Sequence, residues 1–207
     1  MNYQITISFS NDDLRYVQSS GYMLCIAKSV SNFPGTAAAL IGWMSIMPYL
    51  SNTFHWTDDY IVYESDTPLT AGATIDMGAA IAAQVGMAYT YEDGGFAQSV
   101  GRSPIYFDAV NQQADGSLNF GLAQQITDSN GKLVVAPIYG IPVGFGQSAS
   151  FLPTETVSIF LSQTFRSSQG GVVLGAIPAN AAVVTVSAGS TVMLVYNPGT
   201  GGFAVAA

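Results

Sequence analysis

Short runs rich in Val, Ile, Tyr, Phe and Thr, cut at brief intervals by turn residues, constrain this chain more than any other feature. Turn signals stand at "NFPG" 32–35, "EDGG" 92–95, "ADGS" 114–117, "DSNG" 128–131, "SSQGG" 167–171 and "NPGTGG" 197–202. Regular short strands separated by Gly-rich turns predict a β-sandwich or barrel. Several runs alternate as half-buried strands do. Tyr3, Ile5, Ile7 and Phe9 face one way, with Gln4, Thr6 and Ser8 opposite. Val85, Met87, Tyr89 and Tyr91 oppose Gly86, Ala88 and Thr90. "TVSIFLSQTF" and "STVMLVY" are further strands, and "SLNFGLAQQIT" with "LVVAPIYG" forms a hairpin turning at Asn130-Gly131. One short helix is expected after the first strand, with Ser10 as N-cap, Asp12 and Asp13 in its first turn and Gly21 past its end. The segment 78–86 reads as a strand entry in preference to a second helix. The expectation is a single all-β domain over 1–207, a two-sheet β-sandwich of roughly ten or more strands with one short N-terminal helix.

Charge narrows the function classes. Lys+Arg number 5 against Asp+Glu 13, a net charge of −8. Charged residues make up 9% of the chain, where about 25% is usual. Nucleic-acid binding needs basic side chains to displace counterions, and so does electrostatic attachment to anionic membranes. Neither partner is expected; a small apolar ligand or a glycan is. One cysteine, Cys25, excludes an internal disulfide and a multi-cysteine metal site, and reads as a small buried hydrophobe. A single histidine, His55, excludes a His-rich metal site within one chain, and no metal cofactor is expected. The start "MNYQITISFS" lacks a basic segment followed by an apolar one, so the chain reads as a cytoplasmic product. No charged side chain follows Arg166. That tail either supplies central strands buried on both faces or exposes an apolar surface suited to homo-oligomerisation.

No catalytic motif emerges, and no enzyme activity is expected. There is no G-x-S-x-G elbow, and "GIPVGFGQS" lacks the Lys-Ser/Thr ending of a phosphate loop. His55 reads as a polar strand-entry residue, or as a base oriented by Asp58 or Asp59. The stretch from Trp43 to Tyr63 is rich in aromatics, which core packing explains. It also has the composition of a sugar site, with Trp56 and Tyr60 stacking and Asp58 or Asp59 hydrogen-bonding. In "YMLCIAKSV", Lys28 shares a strand face with Tyr22, Leu24, Ile26 and Val30. It reads first as a strand-end residue with its head in water. A buried ion pair, or a desolvated amine able to condense with a carbonyl, are the other readings. Lys132, the other lysine, follows a turn and is expected to be exposed. The expected ligand-binding residues are Lys28, Trp43, His55, Trp56 and Tyr60.

The stretches "YQITISFSNDDLRYVQSSGYMLCIAKSV", "NTFHWTDDYIVYES" with "AGATI", and "LNFGLAQQITDSNGKL" with "VSIFLSQTF" and "STVMLVYNPGTGGF" span most of the chain. Their order resembles fungal fruit-body proteins of actinoporin-like sandwich architecture, the pigment-carrying chromoproteins of oyster mushrooms among them. The resemblance implies a two-sheet sandwich without disulfides, no enzyme activity, and a bound apolar chromophore such as a polyene-type pigment. It does not imply which residue holds the pigment. Lytic proteins of this kind use exposed aromatic clusters and often basic residues, from which this acidic chain departs. The functional expectation is therefore carriage of a small apolar ligand, with a carbohydrate-binding lectin as the alternative and a lipid-binding or pore-forming protein as the third reading.

Overall fold

The computed structural model describes residues 1–33, 38–114, 118–165 and 170–206. The chain runs β1 (Asn2–Ser8), α1 (Asn11–Ser19), β2 (Met23–Phe33), β3 (Leu40–Ile46), β4 (Ser51–Ser65), β5 (Ala80–Ala83), β6 (Met87–Glu92), β7 (Gly95–Val100), β8 (Phe107–Asn111), β9 (Leu118–Thr127), β10 (Leu133–Val143), β11 (Ser148–Ser162), β12 (Val172–Leu174), β13 (Ala182–Thr185), β14 (Thr191–Asn197) and β15 (Gly202–Val205). Sheet A has the order β10-β9-β4-β1-β14-β15, with β5 beside β4. Sheet B has the order β12-β3-β2-β11-β8-β6-β7, with β13 beside β11. This is the expected all-β two-sheet sandwich with one short helix. Both sheets are mixed, because β1 runs parallel to β14 and β6 parallel to β8.

Local chemistry explains the helix. The Asp13 amide donates to Ser10 Oγ at 3.2 Å and Ser10 Oγ donates to the Asp13 carboxylate at 2.6 Å, so cap and third residue satisfy each other. Gly21 takes φ 71° just beyond the helix end, a conformation that favours glycine. Two hairpins form at the expected turns. Asp93 and Gly94 (φ 51° and 80°) join β6 to β7, and Gly131 (φ 74°) turns β9 into β10, where Asp128 accepts from the amides of Asn130 and Lys132. The turns at 34–35, 115–117 and 167–169 lie outside the described residues. Segment 78–86 supplies β5, in line with the strand reading.

The core lies between the sheets. Tyr3, Ile5 and Ile7 of β1 meet Leu24 and Ile26 of β2, with Phe54, Phe120, Phe151 and Ile159 beside them. Aromatic pairs cross the gap: Trp43 with Trp56 at 5.6 Å and Tyr91 with Phe120 at 5.8 Å. β2 is buried on its other face too, where Cys25 and Ala27 pack with Phe160, Phe165 and Val172. Cys25 is the buried hydrophobe expected, and burial pushes its thiol pKa up. Val85 departs from expectation: it precedes β6 and is exposed. Among its described residues, the charge-free tail does not supply central strands buried on both faces. β14 buries Leu194 and Tyr196 on one face and exposes Met193 and Val195 on the other.

Candidate functional site

Two irregularities, one in each sheet, face one another across the core. In β4, Trp56 pairs with Ile126 and Tyr60 with Gln124, so residues 57, 58 and 59 stand against Gln125 alone. In β11, Pro153 pairs with Val30 and Val157 with Lys28, so residues 154, 155 and 156 stand against Ser29 alone. Such bulges interrupt the ladder and bend the strand locally. Three residues against one leave the alternation in phase, so Trp56 and Tyr60 stay on the inner face with Phe54 and Val62, and Glu155 on that of Phe151, Val157 and Ile159, facing Lys28, which the alternation of β2 also turns inward.

Lys28 is therefore not a strand-end residue with its head in water. Its side chain is wholly buried, and Glu155 is 18% exposed. The expectation fails because β11 and β3 flank this part of β2, and sheet A closes over it. Lys28 Nζ donates to Glu155 at 2.8 and 3.0 Å, to Gln124 Oε1 at 2.9 Å and to the Tyr60 hydroxyl at 3.1 Å. Trp43, Trp56 and Tyr60 surround it with ring centroids 5.2–5.8 Å away. Glu155 also accepts from Trp56 Nε1 at 2.7 Å and from the Tyr60 hydroxyl at 2.8 Å. Desolvation lowers the Lys28 pKa to about 8, against the pull of the Glu155 carboxylate. Burial, with the Glu155 charge second, raises that of Tyr60. An unpaired ammonium in such a place costs several kcal/mol; a carboxylate with further hydrogen bonds offsets that cost. The arrangement is the buried ion pair of the sequence readings, and its amine is also desolvated.

The structure thus brings together Lys28, Trp43, Trp56 and Tyr60, four of the five expected residues, and adds Glu155 and Gln124. His55 stands apart. It is on β4 with its side chain on the outer face of sheet A, opposite to its neighbour Trp56. No ion pair engages it among the described residues. Trp56 and Tyr60 are 3% and 6% exposed, so they offer no stacking platform to a sugar from solvent. Asp58 bonds the Met1 amino group, which holds its carboxyl below the usual range, and Asp59 accepts from Thr57 Oγ1.

A second arrangement lies on that outer face. Thr191 of β14, Gln4 of β1, His55 of β4 and Thr127 of β9 are successive partners across four strands. Strand spacing makes this row about 15 Å long. It lines a groove of about 480 Å³ together with Asn2, Thr57, Gln125 and Ser190, and no Asp, Glu, Lys or Arg contributes. Amides, hydroxyls and an imidazole on rigid strands can give and accept hydrogen bonds without carrying formal charge. The sequence carries one signal for this row, the polar phase of β1 and β4; the register that aligns it with Thr127 and Thr191 is long-range. No protein-family model, curated protein or solved structure matches this chain.

Proposed function

We propose that this chain is a non-enzymatic binding protein for a neutral, hydroxyl-rich ligand of the carbohydrate class, held in the groove on the outer face of sheet A. The row Thr191–Gln4–His55–Thr127 carries this reading. It presents four neutral hydrogen-bonding side chains in line, and the groove's volume lies within the roughly 300–1,000 Å³ of small-molecule sites. Its lack of formal charge suits uncharged sugars better than anionic ones. Binding is tested on an array of neutral and acidic glycans, followed by titration of the best hit. Neutral glycans bind, and His55→Ala and Gln4→Ala weaken them about tenfold or more, while circular dichroism is unchanged. An array without neutral hits, or binding indifferent to both substitutions, sinks the reading.

The desolvated Lys28 amine favours a second reading, the carriage of a carbonyl-bearing apolar ligand such as a pigment. The free amine would attack the carbonyl carbon and lose water to leave an imine. Two observations rank it second. Every Lys28 proton already has an acceptor, and the cavity beside Lys28, Ile138 and Tyr139 is about 180 Å³, small for a polyene. Visible absorption and an intact mass above the chain's own, both lost in Lys28→Met, support it. Colourless protein from the native source at the sequence mass rejects it.

A further inference from the structure

β7 is the outer strand of sheet B, and it lacks the devices that protect sheet edges. Exposed edges are normally short, broken by proline or bulges, or studded with charge. The other edges follow this rule. β10 contains Pro137 and Pro142 and a register break, β12 has three residues, and β15 has four. β7 runs six residues, Gly95-Phe96-Ala97-Gln98-Ser99-Val100, with unbroken pairing to β6, no proline and no charge. Every residue except Phe96 is exposed, Val100 by 84%.

The turn decides which backbone groups face outward. The two-residue Asp93-Gly94 turn, with both φ values positive, makes Glu92 and Gly95 a hydrogen-bonded pair. Bonded pairs then alternate along the ladder, so Gly95, Ala97 and Ser99 bond β6. Phe96, Gln98 and Val100 point their N–H and C=O groups away from it.

We propose that β7 is a dimerisation edge, and that its partner is a second copy of this chain paired antiparallel across a two-fold axis at Gln98. Outward groups pair only with outward groups. Gln98 faces Gln98, and Phe96 of each copy faces Val100 of the other, giving about six ladder bonds. The same register sets Arg102 of each copy opposite Gly94 of the other, beside Asp93. Arg102, Glu92 and Asp93 are exposed, and Arg102 has no ion pair among the described residues. The strand is thus flanked by acid at one end and base at the other, an order that complements itself only in antiparallel pairing.

Light scattering after size exclusion, at protein concentrations up to roughly 100 µM, reads the outcome. The chain runs at twice its own mass. Gln98→Pro removes an outward N–H without touching the β6–β7 ladder, and it returns the protein to monomer. Asp93→Asn keeps a residue that suits the turn but removes its charge, and Arg102→Glu reverses the other; both raise the dissociation constant several-fold. If Gln98→Pro fails to fold, these two variants decide. A wild-type monomer across the range overturns the proposal, as does a dimer indifferent to the variants that fold.

Discussion

Lys28 keeps a charge where water does not reach, and Glu155 is the group that permits it. Removing the carboxylate leaves the ammonium desolvated with only neutral partners. Glu155→Ala is expected to cost about 3–5 kcal/mol in urea unfolding. Lys28→Met is expected to cost less, because Glu155 stays partly exposed and keeps its bonds from Trp56 and Tyr60. A double Lys28→Met, Glu155→Leu variant close to wild-type stability would show that the pair is replaceable by apolar packing. The amine also gives stability a pH signature. Its pKa is about 8 in the fold against an ordinary 10.5, so between these values the unfolded chain holds the proton and the folded one has released it. Stability therefore rises with pH in that window, by roughly 2 kcal/mol from pH 8 to 9.5. Below pH 8 both states are protonated and the burial cost is present in full. Above about pH 10 the trend reverses, because burial raises the pKa values of Tyr60, Tyr63 and Tyr139 and the unfolded chain ionises its tyrosines first. Equilibrium unfolding at pH 7.5 and 9.5 checks this; Lys28→Met is expected to show no such rise between the two.

Strands and their pairing set where those residues meet. The inward face of Lys28 follows from period-two alternation, and so do the burial of Tyr3, Ile5 and Ile7 and the outward face of Gln4 and His55. The Ser10 cap is equally legible, because it lies within four consecutive residues, and Ser10→Ala should cost about 1 kcal/mol. Glu155 was not legible. Its carboxylate lies 127 residues from Lys28, and the β2–β11 pairing that brings them together is long-range. The extra residues of β11 and β4 leave no mark in hydrophobic periodicity, because three against one keep the alternation in phase. The same holds for Trp56 and Tyr60, whose aromatic character was plain but whose convergence on Lys28 needed sheet A to pack over sheet B. Glycine shows the reverse case, a small residue required by a distant one. Gly121 of β9 pairs with Gly140 of β10, and Tyr63 of β4 lies across them. A methyl group on Gly121 would stand 2.7 Å from the Tyr63 hydroxyl and collide with the Tyr139 carbonyl oxygen. Gly121→Ala should cost about 3 kcal/mol or more, or prevent folding, as thermal unfolding would show.

At the scale of the molecule, the sandwich is closed by pairings far apart in sequence. Among the described residues no helix is long and apolar enough to cross a membrane. The groove and the β7 edge belong to different sheets, so sugar binding and dimerisation are expected to be separable. Gln98→Pro should leave glycan affinity within about twofold, and His55→Ala should leave the dimer intact, both readable by titration and light scattering. The tail matters here although its outer face is exposed. β14 lies against β1 in parallel register, Ile5 beside Val192 and Ile7 beside Leu194. During synthesis this has a consequence in time. One side of β1 is taken up by β4 within the first sixty or so residues, while its other side waits for β14. At roughly 5–20 residues per second, the interval is about 7–26 s. Throughout it the nascent chain presents an open, uncharged strand edge near its amino end, a vulnerable period for chaperone capture or mispairing that ends only when the last charge-free segment leaves the ribosome.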